Sequence, residues 1–278
     1  MIENLLLCVG AQKTGTTWLH KHLKDHPDIS FSHVKEVHYF NTIHSGSILL
    51  TTRKVEHIKG IIENNRYALE KYFSDLSGKR PVDQGIKNLL SPVDDEWYIN
   101  LLKKNTRYAA DFTPEYALLP QDGFLNIKNV SRNQKVIFIM REPLSRAKSA
   151  IQYFFKTHDR NINLASSDEV LEVAKKSFIL GMSQYERTIE SLDANFDNRD
   201  VLYLFFEDIM SNKQDSINQV TDFLDIDNIY IPEEKLEERV NTSEKYEFSD
   251  DVLSYLSQEL VPTYEFIIKR FGNIYSRE

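Results

Sequence analysis

The sequence predicts an α/β protein with a central parallel sheet, and three observations carry that prediction. Short apolar runs such as LLLCV, KVIFIM and VLYLFF have the length of strands buried on both faces. Longer segments with apolar residues at helical spacing separate these runs. A glycine-bearing turn joins the first run directly to the first helical segment, as in a β-turn-α unit.

In chain order, Asn4–Val9 reads as a buried strand and Thr16 to Lys24 as the helix after the turn. His26-Pro27 ends that helix, because the residue before a proline disfavours the α region. Ile29–Phe31 is a short strand candidate, and Lys135–Met140 a stronger one. Pro143 stands where the helix Leu144–Phe155 can begin. Val201–Phe206 is a further strand, and Phe248–Phe271 reads as a terminal amphipathic helix with Pro262 as a break point. Between Asn41 and Arg107 the pattern is helix-rich, as at Val55–Phe73 and Trp97–Lys104. We read 41–107 as an insertion over the strand ends, within a single domain spanning 1–278. Asp159–Asp168, polar and without period, is a candidate mobile loop.

The 278 residues are 41% apolar, enough for a sizeable core. Lys and Arg number 34 against 42 Asp and Glu, a net charge of −8 that argues against broad contact with nucleic acid or an anionic membrane. The single cysteine, Cys8, has no internal disulfide partner and lies in a strand-like run, which fits a reducing compartment. LLLCVG is too short for an anchor and lacks a basic lead, and no later run approaches ~18 apolar residues. The expectation is a cytoplasmic protein without a membrane span.

Gly10–Thr17 nearly spells the nucleotide-binding loop G-x-x-x-x-G-K-[S/T], but Thr16 fills the lysine's slot and Lys13 lies three residues earlier. Unpaired N–H groups at a helix start and the helix dipole make such a turn an anion cradle. Gly10 and Gly15 let the backbone wrap closely, and Thr16 and Thr17 add hydroxyl donors. A second anion site follows the KVIFIM strand: Arg141 stands at the strand's C-terminal end and Ser149 about two turns into the next helix. Arg146, three residues before Ser149, reads as a weaker candidate or an exposed helical charge. In VKEVHYFN, Glu36 and His38 are both able to act as general base. If that stretch is extended, residues two apart share a face, so both would look into one cleft. Neither Cys8 nor the eight histidines show zinc-ligand spacing, so no metal is assigned.

QKTGTTWL resembles the 5′-phosphosulfate loop of sulfotransferases, enzymes that use 3′-phosphoadenylyl sulfate (PAPS). R-x-P-x-x-R-x-x-S is similar to that family's 3′-phosphate site, and VKEVHYF resembles the base segment of its glycosaminoglycan (heparan sulfate) branch and bacterial relatives. The resemblance implies a three-layer α/β/α, P-loop-like fold. It implies that Lys13, Thr14, Gly15, Thr16 and Thr17 hold the 5′-phosphate, with Lys13 at the oxygen bridging phosphorus and sulfur. Arg141 and Ser149 would hold the 3′-phosphate, and Lys245 in NTSEKYEFS would touch the donor. Glu36 would be the base, with His38 as acceptor-site partner or reserve base and Lys35 orienting donor or acceptor. YAADFTPEY resembles the family's E-K-[S/T]-P-x-Y segment, which places Thr113 and Tyr116 beside the acceptor, although Ala110-Asp111-Phe112 departs from it. The expected partner is a hydroxyl acceptor, carbohydrate or small molecule, and the product adenosine 3′,5′-bisphosphate, without a metal. Two alternatives stay open: an ATP-Mg²⁺ kinase, with Glu207-Asp208 ending a strand as the metal-binding acids, and a catalytically silent nucleotide-binding relative.

Overall fold

The computed structural model describes residues 1–32, 35–47, 50–51, 92–102, 104–238 and 246–276. In chain order these comprise β1 (Ile2–Gly10), α1 (Thr16–Leu23), β2 (Ile29–Phe31), α2 (Tyr39–Ser45), α3 (Asp95–Leu102) and β3 (Tyr108–Phe112). They continue with α4 (Gln121–Val130), β4 (Ser131–Met140), α5 (Pro143–Thr157), α6 (Ser167–Ala174), α7 (Tyr185–Asn195) and β5 (Val201–Phe205). The described chain then forms α8 (Phe206–Ser211), α9 (Lys213–Leu224), α10 (Glu233–Leu236), α11 (Asp250–Glu259) and α12 (Val261–Phe271).

The strands form one parallel sheet in the order β2-β3-β1-β4-β5. In central β1, Leu6 and Cys8 pack on one face, with Trp18 and Leu19 of α1 and Ile217 and Val220 of α9. Leu5, Leu7 and Val9 pack on the other, with Phe124 and Ile127 of α4 and Ile189 and Leu192 of α7. Helices thus cover both faces, which is why β1 reads as an unbroken apolar run. This is the three-layer arrangement expected. A third cluster joins α5, α6 and α11 beside the sheet. Buried Cys8 keeps its proton, burial pushing the thiol up to about 12. No helix among the described residues is long and apolar enough to cross a membrane.

Three elements differ from the sequence reading. The strand β3 was not anticipated: Ala109, Ala110 and Asp111 are poor strand formers, and pairing to β1 and β2 overrides their propensity. The terminal helix does break beside Pro262, as the sequence suggests, but it starts at Asp250 and the two helices meet at Leu260, with Pro262 in the first turn of α12, where its missing N–H costs no hydrogen bond. Asp159–Asp168 contains a 3₁₀ turn at Ile162–Leu164, capped by Asn161, and ends inside α6, which Ser166 caps. Within the proposed insertion, α3 accounts for most of Trp97–Lys104, whereas Val55–Phe73 lies outside the described residues.

Because all strands run the same way, the ends of β1, β3, β4 and β5 lie along one edge of the sheet. The residues that follow them, Ala11, Thr113, Arg141 and Phe206, open the loops where ligands bind in sheets of this kind.

Candidate active site

The first loop is shaped by backbone conformation and one hydroxyl. Gly10 has φ 147°, and a Cβ there would sit 2.8 Å from the Pro114 carbonyl oxygen and 2.9 Å from Ala117 Cβ. Lys13 (φ 71°) and Gly15 (φ 92°) are both left-handed, so the loop curls before α1 opens at Thr16. No side chain caps α1, which leaves its first N–H groups for an anion in the cleft. Thr14 is fully buried and its hydroxyl donates to the Ala11 carbonyl at 2.6 Å. That corrects its expected role: the Thr14 side chain holds the turn, and only its backbone is left for a ligand.

The second anion site meets the first. Arg141 Nη1 donates to the Lys13 carbonyl at 3.4 Å, and its guanidinium lies 4.6 Å over the Phe206 ring. Tyr185 fixes the Arg141 backbone, its hydroxyl donating to the carbonyl at 2.9 Å and accepting from the N–H at 3.2 Å. Glu142 caps α5 through the N–H groups of Leu144 and Ser145, which presents Ser149 to the cleft two turns on. Lys13 Nζ sits 4.3 Å over the Tyr153 ring. Burial first, then the neighbouring Arg141, lowers the Lys13 pKa to about 8. Arg146 is a correction: it is wholly buried rather than exposed, and its Nη2 donates to the Ile179 carbonyl at 2.8 Å.

Opposite these cations stands the base segment. Lys35 Nζ donates to Thr17 Oγ1 at 2.7 Å and lies 3.4 Å from Glu36 Oε1. Glu36 (φ 57°) and His38 (φ 56°) are both left-handed, so the stretch is not extended, yet it brings the Glu36 carboxylate and the His38 ring within 4.8 Å of each other. The Glu36 side chain is 21% exposed and lines the cleft, whereas that of His38 is 0% exposed and lies behind it, Nε2 3.9 Å from Glu115 Oε2. His38 thus stands next to the cleft's two carboxylates and is not itself part of the lining. Thr113 and Tyr116 are also corrected, since both are fully buried. Their hydroxyls donate to the Asp111 carboxylate at 2.7 and 2.8 Å, and Tyr98 adds a third donor at 3.0 Å. Burial raises the Asp111 pKa against the pull of those bonds. The His38 N–H reaches Thr113 Oγ1 at 3.4 Å, so this buried network props the base segment from below.

One cleft of about 830 Å³ gathers Lys13, Gly15, Thr16, Thr17, Lys35, Glu36, Arg141 and Ser149. Lys245 lies outside the described residues. Several lining residues had no assigned role in the sequence. Tyr153 stands four positions after Ser149 on α5, a helical spacing that would have revealed it. Phe206 closes the VLYLFF run at the sheet edge, and Trp18, Met210 and Leu236 complete an apolar wall near it. Glu115 gave no local signal. It enters because its backbone carbonyl accepts from Asn41 at 3.0 Å and its Oε1 from Gln12 at 3.1 Å. Glu36, His38 and Glu115 hold ligand atoms within 4.8 Å of one another, the described group that could hold a metal. Glu207, the candidate metal acid of a kinase, instead accepts from the Glu142 N–H at 3.0 Å.

The family model of the sulfotransferase domain matches residues 3–259. Among solved structures, a sulfotransferase from Alicyclobacillus acidocaldarius is similar over 96% of both chains, at 17% identity and a TM-score of 0.60. A sulfotransferase from Mycobacterium avium matches 96% of this chain and 77% of its own, at 12% identity and a TM-score of 0.53. The sulfotransferase domain of a Synechococcus PCC 7002 olefin synthase matches 84% and 76%, at 17% identity and a TM-score of 0.52. No curated protein matches the chain in sequence. With a parallel sheet of this order and a family match over nearly its whole length, the chain belongs to the sulfotransferase family and is a transferase of that type.

Proposed function

We propose that the cleft binds 3′-phosphoadenylyl sulfate and transfers its sulfuryl group to a hydroxyl of a carbohydrate or small molecule. The observation that carries this reading is the convergence of Lys13, Arg141, Ser149 and Glu36 on one cleft. The open N–H groups at Gly15, Thr16 and Thr17 suit the 5′-phosphate, and the Arg141 fork and Ser149 hydroxyl suit the ribose 3′-phosphate. The apolar wall of Trp18, Phe206 and Met210 offers aromatic and thioether surface to a planar base.

Glu36 takes the proton of the acceptor hydroxyl while that oxygen forms its bond to sulfur. The bond from sulfur to the bridging oxygen breaks, and its electron pair leaves with adenosine 3′,5′-bisphosphate (PAP). Lys13, protonated below its pKa of about 8, stabilises the charge growing on that oxygen. Lys35, bonded to Thr17 and close to Glu36, ties the donor loop to the base. Positioning and preorganised charge supply the rate, and no step needs a metal. The single buried thiol, Cys8, suits a cytoplasmic setting.

The test is transfer of labelled sulfate from PAPS to a hydroxyl library in excess chelator. Sulfated product is the expected result. Loss of the ATP γ-phosphate with Mg²⁺, and none of the sulfate, would sink the proposal in favour of a kinase. PAP binding without product from any acceptor would leave a silent relative.

A further inference from the structure

Glu115 stands at a junction in the cleft. Its Oε1 accepts from Gln12 of the donor loop, its Oε2 lies 3.9 Å from buried His38, and its side chain lines the cleft with Glu36. The carboxylates of Glu36 and Glu115 and the His38 ring approach within 4.8 Å of one another, so both acids belong to the acceptor side. The described lining carries four cationic side chains and four carboxylates, a balance of zero before any ligand enters. Lys13 and Arg141 meet at the donor loop, Lys213 is paired with Glu237, and Lys35 bridges Thr17 and Glu36. A phosphorylated, sulfated donor therefore turns the loaded cleft negative, and an acceptor approaches that field with two carboxylates, Glu36 and Glu115, against the one ammonium of Lys35.

We infer that Glu115 is a specificity-determining residue that makes the cleft select neutral or amine-bearing hydroxyl acceptors and reject those with an anionic group beside the reacting hydroxyl. The inference rests on the PAPS reading above. The excess negative charge costs an anionic acceptor affinity by repulsion in a partly desolvated cleft and favours a neighbouring ammonium group. The selection differs from that of an enzyme for long polyanionic chains, which needs cations at this place.

The experiment uses two triplets at pH 7.5 that differ only in the group beside one hydroxyl: ethanolamine, 1-propanol and 3-hydroxypropionate, and 2-(aminomethyl)phenol, o-cresol and 2-hydroxyphenylacetate. The values of kcat/KM for sulfate transfer from PAPS are compared in the wild-type chain, Glu115→Gln and Glu115→Lys, and PAP affinity is measured in each by calorimetry. The wild type is expected to turn over the amine and neutral members at least about tenfold better than the acid in the triplet it accepts. Glu115→Gln, which keeps an acceptor for Gln12, should narrow that gap to about threefold or less, and Glu115→Lys should reverse it. A gap that survives unchanged in Glu115→Gln, a wild-type preference for the acid, or no turnover of any member by a PAP-binding enzyme overturns the inference. Failure of the wild type to bind PAP is a different result and overturns the donor reading instead.

Discussion

The two halves of the cleft are built differently. On the proposed donor side, residues close in sequence stand together: Lys13, Gly15, Thr16 and Thr17 follow one strand, and Arg141 and Ser149 follow another. On the acceptor side, Glu36 reaches the cleft from a stretch with two left-handed residues, propped by a carboxylate network about 75 residues away. A cradle for a fixed anion can be assembled from backbone and local spacing. A proton acceptor, the role proposed for Glu36, must be aimed, and there the aiming would come from tertiary contacts.

The sharpest way to break that contrast is at the base. Glu36→Gln should lower kcat by about 10²–10⁴ while leaving the Kd for PAP within about threefold of the wild type, as read by steady-state kinetics and calorimetry. A comparable loss of PAP affinity would merge the two halves into one. Lys13→Ala should come next, with kcat falling about 10²–10³ and a smaller loss of PAP affinity.

Proton linkage sharpens the donor side further. The Lys13 amine, lowered to about 8 in the ligand-free protein, is charged below that pH and neutral above it. An anionic ligand favours the charged form, so PAP affinity should weaken as the pH rises above about 8, by at most about tenfold per unit, and level off where the bound amine in turn loses its proton. Calorimetry from pH 6.5 to 9.5 reads this directly, and Lys13→Met should remove the bend.

The smallest effect expected falls on stability. Asp111→Asn leaves the Tyr98, Thr113 and Tyr116 hydroxyls facing an amide that cannot accept from all three. A loss of about 1–3 kcal/mol follows, a few degrees in Tm by calorimetric scanning. Because the network props the base segment, kcat should fall in the same variant while PAP affinity holds. A variant that loses stability but keeps full kcat would show that the network does not aim Glu36.

How much could be read without coordinates follows from the same contrast. Runs that are apolar on both faces, β1, β4 and β5, announce themselves because burial on two sides leaves no polar alternation. The strand β3 hides behind Ala-Ala-Asp, since its place in the sheet depends on neighbours far along the chain. The Gly10 and Gly15 turn and the placement of Lys13 and Arg141 at the strand ends are legible because they are written in local sequence. Thr113 and Tyr116 were placed at the acceptor by resemblance, but Asp111 in the strand draws both hydroxyls inward. An extended spacing would put Glu36 and His38 on one face; two left-handed residues replace it with a curled stretch that still brings both side chains within 4.8 Å. Glu115 could not be singled out at all, because its importance arises from Gln12, Asn41 and His38, brought together only by folding.

The central claim is that two anion sites grip opposite ends of one bisphosphorylated nucleotide. Calorimetric affinities of PAP and AMP for the wild type and for Arg141→Ala test it most directly, because the ligands differ only in the 3′-phosphate. The wild type should bind PAP about 10–100-fold more tightly than AMP, and in Arg141→Ala that ratio should collapse toward one. Equal affinities in the wild type, or a ratio that survives the loss of Arg141, would contradict the claim.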